Sequence, residues 1–65
     1  MGLFNAGDRV FWYRFSSSSK IIACGYGTVI SLKCKKQITI YEILIDGGKL
    51  ENFLKKDLEP VIWYD

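Results

Sequence analysis

One stretch constrains this chain more than any other: Ile38-Thr39-Ile40-Tyr41-Glu42-Ile43-Leu44-Ile45. β-branched and aromatic residues dominate it, and Tyr41, Ile43 and Ile45 fall on one face, so the segment reads as a strand. Asp46-Gly47-Gly48 follows at once and offers the positive-φ residues of a tight reversal. Lys49 to Leu54 is therefore expected to return antiparallel. A lone hairpin is marginal in water, so the remaining residues must supply further strands.

They do so by the same alternation. Residues 9 to 15 carry Val10 and Trp12 on one face and Phe11, Tyr13 and Phe15 on the other. Ser16-Ser17-Ser18-Ser19-Lys20 has no apolar residue and reads as a loop tip. Ile21 to Leu32 is again β-rich, and its two glycines, Gly25 and Gly27, suggest a bulge or sharp bend. Lys33-Cys34-Lys35-Lys36-Gln37 is the next expected turn. Lys55 to Pro60 resembles a single helical turn halted by proline, and Val61-Ile62-Trp63-Tyr64 reads as a last short strand. No dozen-residue segment shows a 3.6-residue apolar period, which excludes a helical fold.

At 65 residues the chain forms one domain, and a chain this short buries only about 60% of the surface its unfolded form exposes. A multi-layer enzyme with an internal cofactor cleft is thereby disfavoured. Hydrophobic residues make up 49% of the chain and charged residues 25%, a balance that argues against disorder. The net charge of +2 is mild for a protein that coats nucleic acid by charge alone. Its distribution is uneven: residues 1 to 41 hold six basic groups against one acidic, and residues 42 to 65 hold three against six. If the strands of the two halves interleave, that contrast cancels.

No apolar run approaches the roughly 20 residues that cross a bilayer as a helix, and Met1 to Asp8 does not resemble a signal peptide, so a cytoplasmic location is expected. Cys24 and Cys34 are expected as free thiols, the first a small buried hydrophobe and the second an exposed turn residue among lysines. Two thiolates without histidine supply half of a zinc site, so no metal is expected and no cofactor either. Gly25-Tyr26-Gly27-Thr28-Val29-Ile30 is an incomplete dinucleotide fingerprint, because Ile30 stands at the third glycine position. With histidine absent and neither cysteine in a CxxC pair, no catalytic set is recognised, and the chain is read as a non-enzyme.

Four segments together resemble a known class. Gly7-Asp8-Arg9-Val10, Gly25-Tyr26-Gly27-Thr28-Val29, Tyr41 to Gly48, and Asp57-Leu58-Glu59-Pro60-Val61 are similar in order and spacing to SH3-like barrels of the Tudor, KOW and Agenet kind. The resemblance covers about residues 7 to 62. It implies an all-β, small five-stranded SH3-like barrel with a single 3₁₀ turn before the last strand. The fold hosts many activities, so it does not name one.

Such a barrel is filled by its own side chains. Val10, Trp12, Val29, Tyr41, Ile43, Ile45, Leu50, Leu54, Leu58 and Val61 are the expected core. Phe11, Tyr13, Phe15, Tyr26, Phe53, Trp63 and Tyr64 are then surplus, and grouped exposed aromatics mark an interaction surface. The expected protein-binding set is Phe11, Tyr13, Phe15, Tyr26, Trp63 and Tyr64, for a protein partner or a homo-oligomer. The alternative partner is nucleic acid, with Arg9, Arg14, Lys33, Lys35 and Lys36 on phosphates and Tyr13 or Tyr26 stacking a base.

Two narrower readings come from the resemblance alone. Tudor-like families hold a methylated lysine or arginine in an aromatic cage. Its counterparts here are Tyr13 or Phe15, Tyr26 and Phe53, with Asp46 or Glu51 as the negative group. Type II dihydrofolate reductases share Gly-Asp-Arg-Val and act as tetramers. Their pore motif falls on Leu50-Glu51-Asn52-Phe53, where its glutamine and tyrosine are replaced.

Overall fold

In the computed structural model, which describes residues 4 to 62, the alternating segments become one antiparallel sheet. Its strands are β1 (Arg9–Phe15), β2 (Ile21–Lys35), β3 (Ile38–Ile45), β4 (Lys49–Leu54) and β5 (Leu58–Pro60). They lie in the order β4-β3-β2-β1-β5, and a 3₁₀ turn, Lys55–Asp57, joins the two edge strands. The protein is therefore all-β with one 3₁₀ turn, as the alternation implies. Among the described residues no helix is long and apolar enough to cross a membrane.

β2 is the spine. At 15 residues it is long enough to pair with β1 through Ile21 to Thr28 and with β3 through Gly27 to Lys35. The sheet curls around this strand. In a flat sheet β1 and β4 would stand about 14 Å apart, three strand spacings. The rings of Trp12 on β1 and Phe53 on β4 instead lie 5.5 Å apart, centroid to centroid. The inner face thus encloses one core of Phe4, Val10, Trp12, Val29, Tyr41, Ile43, Phe53 and Leu58. No ladder joins β4 to β5, so the sheet stays open at that seam.

The glycines of β2 permit close approach, and neither sits at a bulge. Both belong to the inward-facing set. A Cβ on Gly25 would stand 3.0 to 3.3 Å from the Trp12 indole, and one on Gly27 would stand 2.5 Å from Ile43 Cγ2 and 2.9 Å from the Leu44 carbonyl. The register runs unbroken past both. The irregularities lie between Val29 and Ser31, and opposite Arg14 and Phe15.

The β3–β4 hairpin overturns part of the expected core. Ile45 pairs with Lys49, which leaves Asp46, Gly47 and Gly48 as the loop, with Gly47 and Gly48 at φ 112° and 101°. Directly opposed residues share a face, so Phe53 joins Tyr41 and Glu51 joins Ile43 on the inner side. Phe53 is buried, whereas Leu50 and Leu54, opposite Leu44 and Ile40, are exposed. Ile45 and Val61 are half-buried. Phe4 replaces the missing volume: its ring meets Tyr41 edge-on at 5.5 Å, and its amide donates to the Tyr41 hydroxyl at 3.4 Å.

Three boundaries differ from expectation. β2 runs on through Lys35, so Cys34 is a strand residue and the turn is only Lys36 and Gln37, at φ 52° and 68°. Backbone pairing overrides the lysine-rich composition there. The 3₁₀ turn ends at Leu58, before Pro60, because Leu58 enters an extended conformation and pairs with Trp12. The last strand among the described residues is Leu58–Pro60; Val61 and Ile62 follow it outside the strand, and the expected continuation through Trp63 and Tyr64 lies outside the described residues. Pro60 is tolerated because β5 is an edge.

Candidate functional site

The outer face of β1 and β2 is where the surplus aromatics meet. Strand alternation sends Val10 and Trp12 inward, leaving Phe11, Tyr13 and Phe15 outside. The β1–β2 register sets Tyr26 opposite Phe11 and Cys24 opposite Tyr13. The result is a chain of rings. Phe11 meets Tyr26 edge-on at 4.9 Å and Tyr13 edge-on at 5.1 Å, and Tyr13 stacks on Phe15 at 6.1 Å. Such pairs each contribute about 0.5–1.5 kcal/mol beyond their burial, so the group is pre-ordered. Phe15 and Tyr26 are nonetheless 42% and 49% exposed.

Polar groups fix its border. The Tyr13 hydroxyl donates to Glu59 Oε1 at 2.7 Å, and that bond to a neighbouring carboxylate raises the phenol above its ordinary value of 10.0. Arg9 forks onto Asp46 with two bonds of 2.9 and 2.8 Å and also donates to Thr28 Oγ1 at 2.9 Å. The hydrogen bond from Arg9 holds the Asp46 carboxyl below its ordinary value of 3.8, and Asp46 raises Arg9 in turn. Arg14 faces the other way. It pairs with Glu51, and its guanidinium lies over the Phe53 ring, 5.1 Å from the centroid.

These two arginine pairs join the basic first half of the chain to the acidic second half, which cancels much of the charge contrast in the sequence. They also divide the expected nucleic-acid set. Arg9 and Arg14 are each engaged by a carboxylate. Lys33, Lys35 and Lys36 stand exposed on the distal β2–β3 hairpin, together with Leu32 and Ile38. The methyl-lysine cage set divides as well. Phe53 lies in the core, Tyr26 lies on the outer face, and Asp46 and Glu51 are each paired with an arginine.

An open groove of about 770 Å³ runs beside this face, lined by Tyr13, Arg14, Phe15, Asn52, Phe53 and Lys56 among others. Tyr13 and Phe15 belong to both the groove and the outer face. Sequence alternation finds Phe11, Tyr13, Phe15 and Tyr26 but not the groove, which needs β1 and β4 to meet across the curl. It also misses Ile21 and Cys24. Cys24 is exposed and not buried, because the register places it beside Tyr13 on the outer side. Cys34 is an exposed free thiol. Trp63 and Tyr64 lie outside the described residues. No group of three metal-ligating side chains occurs among the described residues. Comparison of the chain with known protein families, with curated proteins and with solved structures finds no match.

Proposed function

We propose that this chain is a non-catalytic binding module of SH3-like architecture, working in the cytoplasm, and that the outer face of β1 and β2 receives a protein partner. The single observation that carries the reading is the continuous ring chain Phe15-Tyr13-Phe11-Tyr26, pre-ordered yet half open to solvent. Aromatic side chains of this kind dominate protein interfaces because they bring large apolar area at small conformational cost. The SH3-like assignment is supported by the strand order, the shared long β2, and the 3₁₀ turn linking the two edge strands.

A protein partner is favoured over nucleic acid because Arg9 and Arg14 spend their charge on Asp46 and Glu51, which leaves the lysine hairpin alone to contact phosphate. The test is affinity capture from the native host with three baits. The unaltered chain and a Lys33→Glu, Lys35→Glu, Lys36→Glu variant should retain the same partner. A Phe15→Ser, Tyr26→Ser variant, altered at two exposed positions, should lose it. Loss of the partner in the lysine variant with retention in the aromatic one would overturn the reading in favour of nucleic acid or a charged ligand.

A further inference from the structure

The end of the β2–β3 hairpin stands apart from the rest of the sheet. β1 pairs with β2 only as far as Thr28, and β4 pairs with β3 only from Ile40 to Ile45. Beyond the pair of Lys33 and Ile40 the hairpin is therefore a ribbon of two strands. Every residue from Leu32 to Ile38 is exposed. Their side chains leave on both faces: Lys33 and Lys35 share one with Ile38, and Leu32 and Cys34 occupy the other. Leu32 is 42% exposed and Ile38 52%, so an aliphatic side chain meets solvent on each face.

The charge of this ribbon has one sign. Lys33, Lys35 and Lys36 form no ion pair among the described residues, whereas Arg9, Arg14 and Lys49 each do. The one carboxylate carried by β2 or β3, that of Glu42, stands nearer the core, opposite Ser31, whose hydroxyl donates to it at 3.1 Å. Lys36 lies in the two-residue turn itself, which puts positive charge at the extreme end of the hairpin.

We propose that this hairpin end docks on an anionic lipid surface, with Lys33, Lys35 and Lys36 meeting headgroup phosphates while Leu32 and Ile38 enter the boundary between headgroups and acyl chains. The charge is complementary, and lysine suits the position because its ammonium reaches phosphate while its methylene stem stays against apolar surroundings. A protein surface would cover one face of the ribbon and leave the aliphatic side chain of the other in water, whereas a lipid boundary surrounds both. Buried aliphatic area and electrostatic attraction together set the strength of such a contact. Nucleic acid is the poorer match, because residues 32 to 38 hold no ring on which a base could stack. Docking by this end leaves the rings of Phe11, Tyr13, Phe15 and Tyr26 free, so the inference goes beyond the proposed partner surface and does not rest on it.

The experiment is co-sedimentation of the full chain with phosphatidylcholine vesicles, with and without phosphatidylserine, at low and high salt. The unaltered chain should bind the phosphatidylserine vesicles at low salt, release them as salt rises, and leave phosphatidylcholine alone unbound. Lys33→Gln, Lys35→Gln, Lys36→Gln should weaken binding about a hundredfold, at about fivefold for each lysine near the surface. Leu32→Ser, Ile38→Ser should bind more weakly than the unaltered chain, and Phe15→Ser, Tyr26→Ser equally well. Both hairpin variants are altered only at exposed positions, and urea denaturation checks that they fold. A spin label on the lipid headgroup should broaden the amides of Lys33 to Ile38 most. No binding at low salt, equal binding to phosphatidylcholine alone, undiminished binding by either hairpin variant, or broadening centred elsewhere would overturn the inference. Displacement of the vesicles by single-stranded RNA bound more tightly at the same lysines would overturn it in favour of nucleic acid. Any of these results leaves the aromatic-face reading standing, because that reading is tested by capture of its partner.

Discussion

The indole of Trp12 lies flat against the bare backbone of Gly25 and donates its Nε1–H to the next carbonyl, that of Tyr26, at 3.2 Å. This contact joins the inner and outer faces of the domain. Gly25 and Gly27 admit Trp12 and Ile43 on one side of β2, and Tyr26, held between the two glycines, projects on the other side into the aromatic chain.

The two glycines should not tolerate alanine equally. At Gly27 the new methyl would meet Ile43 Cγ2 at 2.5 Å and the Leu44 carbonyl at 2.9 Å, and a backbone oxygen in a central strand cannot retreat. At Gly25 it would meet only the Trp12 ring, at 3.0 Å. Gly27→Ala is expected to cost about 1–3 kcal/mol, in the range of overpacked cores, and Gly25→Ala less. Urea denaturation of the two variants checks the order.

The face assignment of β4 gives a second expectation. Phe53→Ala removes a buried ring from contact with Trp12 and Arg14 and should cost about 3–5 kcal/mol. Leu50→Ala, at an exposed position, should stay within about 0.5 kcal/mol. If Leu50 proved the costlier of the two in thermal denaturation, the register of the β3–β4 hairpin would be wrong.

The β2–β3 turn is strained where residues other than glycine hold positive φ. Lys36 and Gln37, at 52° and 68°, form a two-residue reversal of the type that favours Asn-Gly. Gln37→Gly should therefore stabilise the domain by about 1 kcal/mol, the cost of a left-handed side-chain residue. For a domain of this size that raises Tm by roughly 4–8 °C per kcal/mol. Calorimetry of this single variant is the check.

Acid should weaken the contact between Arg9 and Asp46. Asp46 is held below its ordinary value by Arg9, so it contributes stability that is fully present above 3.8 and fades as pH falls through its lowered value. Asp46→Asn should be less stable than the unaltered chain at neutral pH, and the difference should shrink below pH 3.8. Stability curves for both chains across that range measure it. An unchanging difference would mean that the pairing with Arg9 does not depend on the carboxylate charge.

Much of this was legible from local pattern. Alternation and turn residues located the first four strands, though not Leu58–Pro60, and set Phe11, Tyr13 and Phe15 against Val10 and Trp12, because a side-chain period of two leaves no other choice for a half-buried strand. What it missed depends on register. The loop is the expected Asp46-Gly47-Gly48, but the inward turn of Phe53 follows from the pairing of Ile45 with Lys49, and alternation within one strand does not say which residues oppose each other across a hairpin. Cys24 is exposed because it pairs with Tyr13, and the role of Gly27 follows from the approach of Ile43, residues far apart in the chain. Phe4 lies ahead of the first strand, where no periodicity flags it.

The aromatic face as binding surface is tested most directly by mapping amide and aromatic shifts of the labelled chain as the captured partner is titrated in. The largest changes should fall on Phe11, Tyr13, Phe15 and Tyr26, with Lys33 to Lys36 unmoved. Changes centred on the lysine hairpin, with the four rings unperturbed, would contradict it.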